Sequence, residues 1–165
     1  MAEKDRNSVV HPDLSQITDY LFLSSLPKKE HADHICSLGV RLVISMPLYR
    51  PPRVYRQAPF QFVHCPSMDS RLTPIPQFIL KRGVYRALPV INEQGHNVLV
   101  HCKEGVHRSV AMACCILIAK GYTAEEAMHL VKEKREKADP YAGYISKRIE
   151  IFEADWNEHH GPTNE

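Results

Sequence analysis

Residues 97–109 read NVLVHCKEGVHRS, and this stretch decides the fold. Asn97–His101 is a short apolar run of the kind that forms a buried strand. A short loop follows, and a second apolar run with helical periodicity begins at Ser109. In such a strand–loop–helix turn, the N–H groups of the loop converge on one point, which also lies at the positive end of the helix dipole. The stretch therefore predicts an anion-binding loop over residues 102–108.

The side chains of this loop indicate nucleophilic chemistry on a phosphate. Cys102, close to a helix N-terminus, is expected to be largely a thiolate near neutral pH and so a competent nucleophile. Arg108 has a planar guanidinium that can hold two phosphoryl oxygens at once. Ser109 can donate a hydrogen bond to the sulfur, and His101 is placed to brace the loop from behind. The backbone groups expected to bind the phosphate belong to Lys103, Glu104, Gly105, Val106, His107 and Arg108.

Apolar runs elsewhere in the chain alternate with helical patterns. Besides Asn97–His101, the predicted strands are Tyr20–Ser24, Arg41–Met46 and Phe60–His64. The predicted helices are Lys29–Leu38, Pro76–Asn92, Ser109–Lys120, Thr123–Lys137 and Gly143–Asn157. Strands separated by helices predict an α/β fold, a single domain with a central, mainly parallel sheet flanked by helices. In such a sheet, the site lies beyond the carboxyl ends of the strands.

Three helices carry more detailed signals. The helix predicted to begin at Pro76 is expected to place Phe78, Tyr85 and Leu88 along one stripe, and Pro89 is expected to end or kink it. Thr123 has capping-box spacing to the glutamate three residues later. The last helix is expected to align four apolar side chains: Ile145, Ile149, Phe152 and Trp156.

Composition and charge exclude several classes of protein. Of the 165 residues, 44% are hydrophobic, so the chain can bury the core of one domain. A formal net charge of +2 does not indicate a nucleic-acid partner. No apolar run approaches the roughly 20 residues that span a bilayer.

The five cysteines form no CxxC pair, and the first residues lack the apolar core of a signal peptide. Free thiols in a reducing compartment are therefore expected, with the cytoplasm as the predicted location and the nucleus as a further one. His31 and His34 lack a second cluster of ligands, so neither a metal ion nor another cofactor is predicted. The sequence does not predict the oligomeric state.

The letters HCKEGVHRS spell His-Cys, five residues, then Arg-Ser. With a strand before it and a helix after it, this motif resembles that of the small, atypical dual specificity phosphatases of the cysteine-dependent protein tyrosine phosphatase superfamily. The resemblance covers residues 14–156, including the segment ITDYLFLSSL and the Gly143-Tyr144 step before the last helix. It implies a catalytic domain over residues 14–157, with flexible tails at 1–13 and 158–165.

The resemblance also implies a general acid some thirty positions before the cysteine. Asp69 stands 33 positions before Cys102. Such an acid would protonate the departing oxygen and then activate the water that hydrolyses the cysteinyl-phosphate. The alternative that Asp69 only caps a turn in a Ser/Pro-rich loop is open at this point.

Other residues allow two interpretations each. His107 stands where many relatives have a small residue, so its ring would restrict access or donate a proton to the phosphate, or else point to solvent. Arg50, Arg53 and Arg56 would recognise a second phosphate or an acidic flank, or else form a solvated basic loop. Cys65 is a candidate disulfide partner of the nucleophile.

The activity implied by the resemblance is metal-independent hydrolysis of phosphotyrosine, and also of phosphoserine and phosphothreonine, in proteins. The partner would be a phosphorylated protein, without nucleic acid or membrane. One alternative is a non-protein phosphate, such as an inositol phosphate or an RNA 5′ end. Lys103 is the only Lys or Arg between Cys102 and Arg108, which favours a protein substrate. The other alternative is a phosphate-binding module without turnover, against which the joint presence of Cys102, Arg108 and Asp69 speaks.

Overall fold

The computed structural model describes residues 11–161. The strands found in this part of the chain are β1 (Leu14–Gln16), β2 (Leu21–Ser24), β3 (Val40–Ser45), β4 (Gln61–His64) and β5 (Asn97–His101). The α-helices are α1 (Ala32–Ser37), α2 (Gln77–Asn92), α3 (Arg108–Ala119), α4 (Ala124–Lys134) and α5 (Gly143–His160). Two short 3-10 turns, Lys29–His31 and Arg53–Arg56, precede α1 and β4.

The five strands form one sheet in the order β1-β2-β5-β3-β4. Only β1 runs antiparallel to its neighbour, and the other pairs are parallel. In this register Ser24 and Ser45 both pair with His101, and Ser45 also pairs with His64. The carboxyl ends of β2 to β5 therefore lie at one edge of the sheet. The loops that follow these four strands meet at that edge.

The central strand β5 faces two hydrophobic cores, because successive side chains of a strand point to opposite faces. Val98 and Val100 pack into the larger core with α2, α3, α4 and α5, whereas Leu99 packs into a smaller core with α1. Helix α3 is the centre of the larger core, since 11 of its 12 residues are buried. A helix that is buried all round is held on every side. The loop between β5 and α3 is therefore anchored at both ends by well-packed elements.

The predicted fold class is confirmed. The four predicted strands are present, with ends shifted by no more than one residue. Strand β1 was not predicted, because three residues are too few to show a period of two. The helix predicted over 29–38 is divided into a 3-10 turn and α1.

The predicted stripe of Phe78, Tyr85 and Leu88 is not the buried face of α2. Phe78 is 69% exposed and Tyr85 is 51% exposed, while Leu88 packs partly against the larger core. A Cβ on Gly83 would collide with the thioether end of Met112, a side chain of α3. Aliphatic residues around this glycine, rather than the aromatic ones, therefore face the core. The buried stripe contains Ile79, Leu80, Gly83, Val84, Ala87 and Val90.

Helix α5 ends at His160, three residues beyond its predicted end and within the predicted C-terminal tail. Two other predictions about helices also differ from the structure. Pro89 does not end α2, which continues to Asn92, because a proline in the last turn removes only one hydrogen bond of the helix. Helix α4 ends at Lys134 rather than Lys137, which leaves Arg135 in an extended conformation at its C-terminus. The capping box at Thr123 and the buried face of α5 are as predicted. Residues 1–10 and 162–165 of the predicted tails lie outside the described residues.

Candidate active site

Cys102 lies directly after β5 at the sheet edge, and only 3% of its surface is exposed. Its Sγ atom accepts a hydrogen bond from the Gly105 N–H at 3.2 Å. The Ser109 Oγ atom lies 3.0 Å from the same sulfur. The sulfur therefore has one backbone N–H and one hydroxyl within hydrogen-bonding distance. Both contacts lie within or next to residues 102–108, the predicted phosphate-binding loop.

Arg108 is the first residue of α3 and is buried. One guanidinium nitrogen, Nη1, donates to the carbonyl of Ser67 at 2.8 Å. The Nε atom is buried and has no hydrogen-bond partner within residues 11–161. A buried donor without a partner is costly, so this nitrogen is suited to a bound oxyanion.

Arg135 supports the phosphate-binding loop by donating hydrogen bonds to two of its backbone carbonyls. Its Nε atom donates to the carbonyl of Gly105 at 2.8 Å, and its Nη2 atom donates to the carbonyl of Glu104 at 3.2 Å. In a trans peptide the N–H points away from the C=O. The Glu104–Gly105 peptide accordingly directs its carbonyl to Arg135 and its N–H to the Cys102 sulfur.

Asp13 holds Arg135 in place. The two carboxylate oxygens of Asp13 accept hydrogen bonds from Arg135 at 3.1 and 3.0 Å, and Lys137 contacts the same carboxylate. Burial would raise the pKa of Asp13, but the hydrogen bonds from Arg135 and Lys137 outweigh it and lower the pKa. The chain segment before β1 thus supports the loop through a charge-assisted pair.

His101 lies beneath the loop, as the sequence predicts, and is fully buried. Its Nδ1 atom lies 3.2 Å from the carbonyl of Cys102. Burial lowers the pKa of His101 to about 4, so the ring is neutral near pH 7 and its Nδ1 can donate to that carbonyl. This contact fixes the peptide that follows the nucleophile.

Asp69 lies in the Asp69 loop, residues 65–76, which follows β4. Its carboxylate has two aromatic partners: the Tyr144 hydroxyl donates to Oδ1 at 2.8 Å, and His107 Nδ1 lies 3.3 Å from Oδ2. Burial, followed by the hydrogen bond to Asp69, raises the pKa of Tyr144 to about 12. Tyr144 consequently remains a hydrogen-bond donor at physiological pH. His107 does not point freely into solvent, because its ring also packs against Tyr144 at 5.5 Å between centroids.

One cavity of about 260 Å³ collects the chemically active side chains. Cys102 and Arg108 line it together with Asp69, which the sequence places more than thirty residues away. The other lining residues are Lys103, Glu104, Val106 and His107. Such a cavity combines a thiol, a guanidinium and a carboxyl group, a set of side chains that can carry out phosphoryl transfer.

Several other sequence candidates lie outside this cavity. Arg50, Arg53 and Arg56 are exposed in the segment after β3 and are not among the lining residues. Cys65 is a buried free thiol whose pKa is raised by burial to about 11, which makes it a poor nucleophile. His31 and His34 form no metal site: between residues 11 and 161, no group of three His, Cys, Asp or Glu side chains could hold a metal ion.

Sequence reasoning missed Arg135 and Asp13, and it assigned no role to Tyr144. Arg135 and Asp13 meet across 122 positions of sequence, and a lone charged residue gives no signal of such a partner. The sequence Gly143-Tyr144 gives no indication of a hydroxyl directed at Asp69.

No helix in the described part of the chain is long and apolar enough to cross a membrane.

Comparison with known proteins agrees with this geometry. The family described as dual specificity phosphatase, catalytic domain, matches residues 21–153. The chain is 29% identical over 142 residues to dual specificity protein phosphatase 1B of Arabidopsis thaliana, covering 86% of this chain and 82% of that protein. Seven further curated relatives are matched over only 20–43% of their own length.

Solved structures show the same fold at lower identity. A mouse putative dual specificity phosphatase, complexed with zinc tungstate, superimposes with a TM-score of 0.82 at 19% identity, covering 99% of this chain and 100% of that one. PTPMT1 in complex with PI(5)P gives a TM-score of 0.79 at 22% identity, covering 89% of this chain and 98% of that one.

The matched family region spans the sheet, the phosphate-binding loop and most of α5. It contains Cys102, Arg108 and Asp69, which line one cavity. The chain belongs to the dual specificity phosphatases and is a small, cysteine-dependent phosphatase of that family.

Proposed function

We propose that this phosphatase hydrolyses phosphotyrosine, and also phosphoserine and phosphothreonine, in proteins through a cysteinyl-phosphate intermediate. The observation that carries the proposal is the position of Cys102 at the bottom of a cavity that Arg108 and Asp69 also line. The Gly105 N–H donates to its sulfur and the Ser109 hydroxyl lies 3.0 Å from it, so both groups can contact the sulfur during the reaction.

In the first step, the Cys102 thiolate attacks phosphorus and an S–P bond forms while the P–O bond to the leaving group breaks. Arg108 and the N–H groups of the phosphate-binding loop hold the equatorial oxygens, where negative charge is concentrated in the transition state. Asp69 transfers its proton to the departing oxygen, which leaves as an alcohol or a phenol.

In the second step, water attacks phosphorus and the S–P bond breaks, so that the electron pair returns to Cys102 as a thiolate. The Asp69 carboxylate accepts the proton of that water and regains its original form. Ser109, 3.0 Å from the sulfur, is placed to donate a hydrogen bond to the departing thiolate. Inorganic phosphate is released, and no metal ion takes part.

Cavity size and charge support a phosphorylated side chain as the substrate. The cavity volume of about 260 Å³ is below the roughly 300–1,000 Å³ of sites that enclose a drug-sized ligand. At its rim, Lys103 and Glu104 are exposed and carry opposite charges. The opening is therefore not strongly basic, whereas a multiply phosphorylated headgroup would require several cations.

A phosphorylated inositol lipid is the second candidate, because PTPMT1, which has this fold, was crystallised in complex with PI(5)P. Turnover of a phosphotyrosine peptide, a phosphoserine peptide, phosphatidylinositol phosphates in vesicles and a 5′-phosphorylated RNA separates the candidates. We expect kcat/KM for the phosphotyrosine peptide to be at least about 10-fold higher than for the others. A preference for the lipid or the RNA would replace the proposed substrate.

The nucleophile is tested with para-nitrophenyl phosphate and Cys102→Ser. We expect turnover to fall at least about 10³-fold, because the hydroxyl of serine is not ionised near neutral pH, while inorganic tungstate still binds. Cys36→Ser is the matched control, since Cys36 is a partly exposed free thiol outside the cavity. Activity retained by Cys102→Ser, or lost by Cys36→Ser, would contradict the assignment.

Two expectations of cellular context belong to the same proposal. The free cysteines within residues 11–161 support a reducing location, for which we propose the cytoplasm and also the nucleus. The proposed partner is a phosphorylated protein.

A further inference from the structure

His107 lies between two carboxylates at the rim of the cavity. Its Nδ1 atom is 3.3 Å from Oδ2 of Asp69, and its Nε2 atom is 3.6 Å from Oδ2 of Asp139. One quarter of its side chain is exposed. A histidine within the phosphate-binding loop therefore connects that loop to the Asp69 loop and to the segment between α4 and α5.

The segment between α4 and α5 is itself fixed to the phosphate-binding loop. The Asp139 N–H donates to the carbonyl of Val106 at 2.9 Å, one residue before His107. The Oδ1 atom of Asp139 accepts a hydrogen bond from the Ala142 N–H at 3.1 Å, just before α5 begins. These contacts hold the beginning of α5, and with it Tyr144, against the loop.

Each oxygen of the Asp69 carboxylate is thereby held by a different element. Oδ1 accepts from Tyr144 of α5 at 2.8 Å, and Oδ2 faces His107 of the phosphate-binding loop. The rings of His107 and Tyr144 pack together at 5.5 Å between centroids and 51° between planes. Two partners that also support each other restrict the carboxylate more than either would alone.

Within residues 11–161, the backbone around Asp69 has few contacts of its own that would hold the carboxylate in place. The Asp69 loop contains no helix or strand, and after Ser67 its side chains are mostly exposed until Ile75. Within the stretch 68–75 the loop has one backbone hydrogen bond, from Thr73 to Ser70. A segment of this kind is free to move on fast timescales unless side-chain contacts hold it.

We propose that His107 and Tyr144 are positioning residues that form a clasp on Asp69 and hold its carboxylate over the phosphate-binding loop before substrate binds. The inference rests on the proposed function, in which Asp69 is the general acid. A carboxylate oxygen has two lone-pair directions, so each can keep its clasp contact and still face the leaving oxygen. A preorganised acid avoids the entropic cost of ordering the loop in each turnover.

The leaving-group dependence of kcat/KM tests the clasp. Proton donation matters most when the leaving group is poor, as in phenyl phosphate, and least when it is good, as in 2,4-dinitrophenyl phosphate. We expect Asp69→Ala to lower kcat/KM for phenyl phosphate by about 10²–10⁴-fold, the usual contribution of a general acid, and to have a much smaller effect on the dinitrophenyl ester. His107→Ala and Tyr144→Phe should follow the same pattern at about 10-fold each on phenyl phosphate.

Conservative variants separate the clasp from a general structural role. The side-chain amide of His107→Asn can occupy the place of Nδ1 and so should restore most of the activity that His107→Ala loses. Tyr144→Phe retains the aromatic ring that packs on His107 and removes only the hydroxyl. Tyr141→Phe and His129→Ala are the matched controls, since both residues are exposed and lie outside the cavity.

The inhibition constant of tungstate, measured for each variant, reports separately on the phosphate-binding loop and should stay within about twofold of wild type. If Asp69→Ala shows the leaving-group dependence but His107→Ala and Tyr144→Phe do not, the clasp is wrong and the proposed function stands. If the His107 and Tyr144 variants slow all esters equally and weaken tungstate binding, these residues only support the loop, and the clasp is again wrong. If Asp69→Ala shows no leaving-group dependence, the acid itself is misassigned and the proposed mechanism fails with the clasp.

Discussion

Gly105 is required by two separate features of the phosphate-binding loop. Its φ of +68° lies in the left-handed region that side chains other than glycine disfavour. In addition, a Cβ at this position would lie 2.5 Å from Arg135 Nη2 and 2.8 Å from the carbonyl oxygen of Ser24. Gly105 also donates its own N–H to the Cys102 sulfur. Any shift of Gly105 therefore moves a donor that the nucleophile uses.

Gly105→Ala is accordingly expected to lower kcat/KM for para-nitrophenyl phosphate by about 100-fold, because displaced donors no longer match the transferring phosphate. Gly95→Ala is the matched control: Gly95 has a similar φ of +64°, but nothing lies within 4 Å of its added Cβ. That control should be destabilised by about 1–2 kcal/mol and keep its activity. Comparable kcat/KM values for the two variants would mean that crowding at Gly105 is unimportant.

The sequence identifies those site residues whose signal is local. Cys102, Arg108 and Ser109 are predicted from one motif, and Asp69 is predicted from the family resemblance, which implies an acid some thirty positions before the cysteine. The role of Arg135 cannot be predicted from the sequence, because its partners, Gly105 and Asp13, are distant in sequence. A single arginine forms no motif that would indicate them. The orientation of His107 depends on where two carboxylates lie, which only the folded chain determines.

At the scale of secondary structure, α4 begins with a complete capping box. The Glu126 N–H donates to the Thr123 hydroxyl at 3.1 Å, and the Thr123 N–H donates to the Glu126 carboxylate at 2.9 Å. Both bonds satisfy N–H groups that a helix start leaves without partners. Because α4 leads directly to Arg135, its stability also bears on the support of the phosphate-binding loop.

Thr123→Ala is expected to lower the free energy of unfolding by about 1 kcal/mol, the typical value of an N-cap. Chemical denaturation should show a lower midpoint at an unchanged m-value. Thr123→Ser retains the hydroxyl and should lose less than half as much. Equal losses for the two variants would show that the methyl group, and not the capping bond, stabilises the start of α4.

Helix α2 illustrates why element boundaries are easier to predict than element packing. Its limits were predicted within one residue, since turn residues and apolar periodicity bound them. Its buried face was not, because the helix carries two apolar stripes: aliphatic residues that include Ile79 and Leu80 are buried, whereas the aromatic residues Phe78 and Tyr85 are exposed. Hydrophobic periodicity alone does not tell which of two adjacent stripes meets the core.

At the scale of the whole molecule, Asp13 and Arg135 join the beginning of the described chain to the end of α4. The carboxylate of Asp13 has a lowered pKa in the folded state, owing to its hydrogen bonds with Arg135 and Lys137. A carboxyl group whose pKa is lower in the folded state stabilises the fold above its unfolded pKa. This stabilisation is lost as the pH falls through the folded value.

Asp13→Asn should therefore lower Tm relative to wild type at pH 6, and the difference should shrink as the pH falls below about 4, the ordinary range of an aspartate. Thermal unfolding at pH 6, 5, 4 and 3 measures this difference. Asp33→Asn is the control, because Asp33 is exposed and forms no ion pair within residues 11–161. A constant difference between Asp13→Asn and wild type over the whole pH range would assign the effect to packing instead of charge.

The α/β architecture was predictable because helical patterns lie between the apolar runs of β2 and β3 and between those of β4 and β5. The order of the strands in the sheet is harder to predict. Strand β5 lies between β2 and β3, and the sequence does not indicate which strands become neighbours. The edge strand β1 was missed because its three residues lack a recognisable period.

The brace at Arg135 has a consequence for the synthesis of the protein. A ribosome adds Asp69, Cys102 and Arg108 well before it adds Arg135 and Tyr144. An emerging chain therefore contains every group of the proposed chemistry while it still lacks the side chains that support the phosphate-binding loop and hold the acid. We infer that a nascent chain does not hydrolyse phosphate esters until Arg135 and Tyr144 have been translated and have folded back onto the sheet edge.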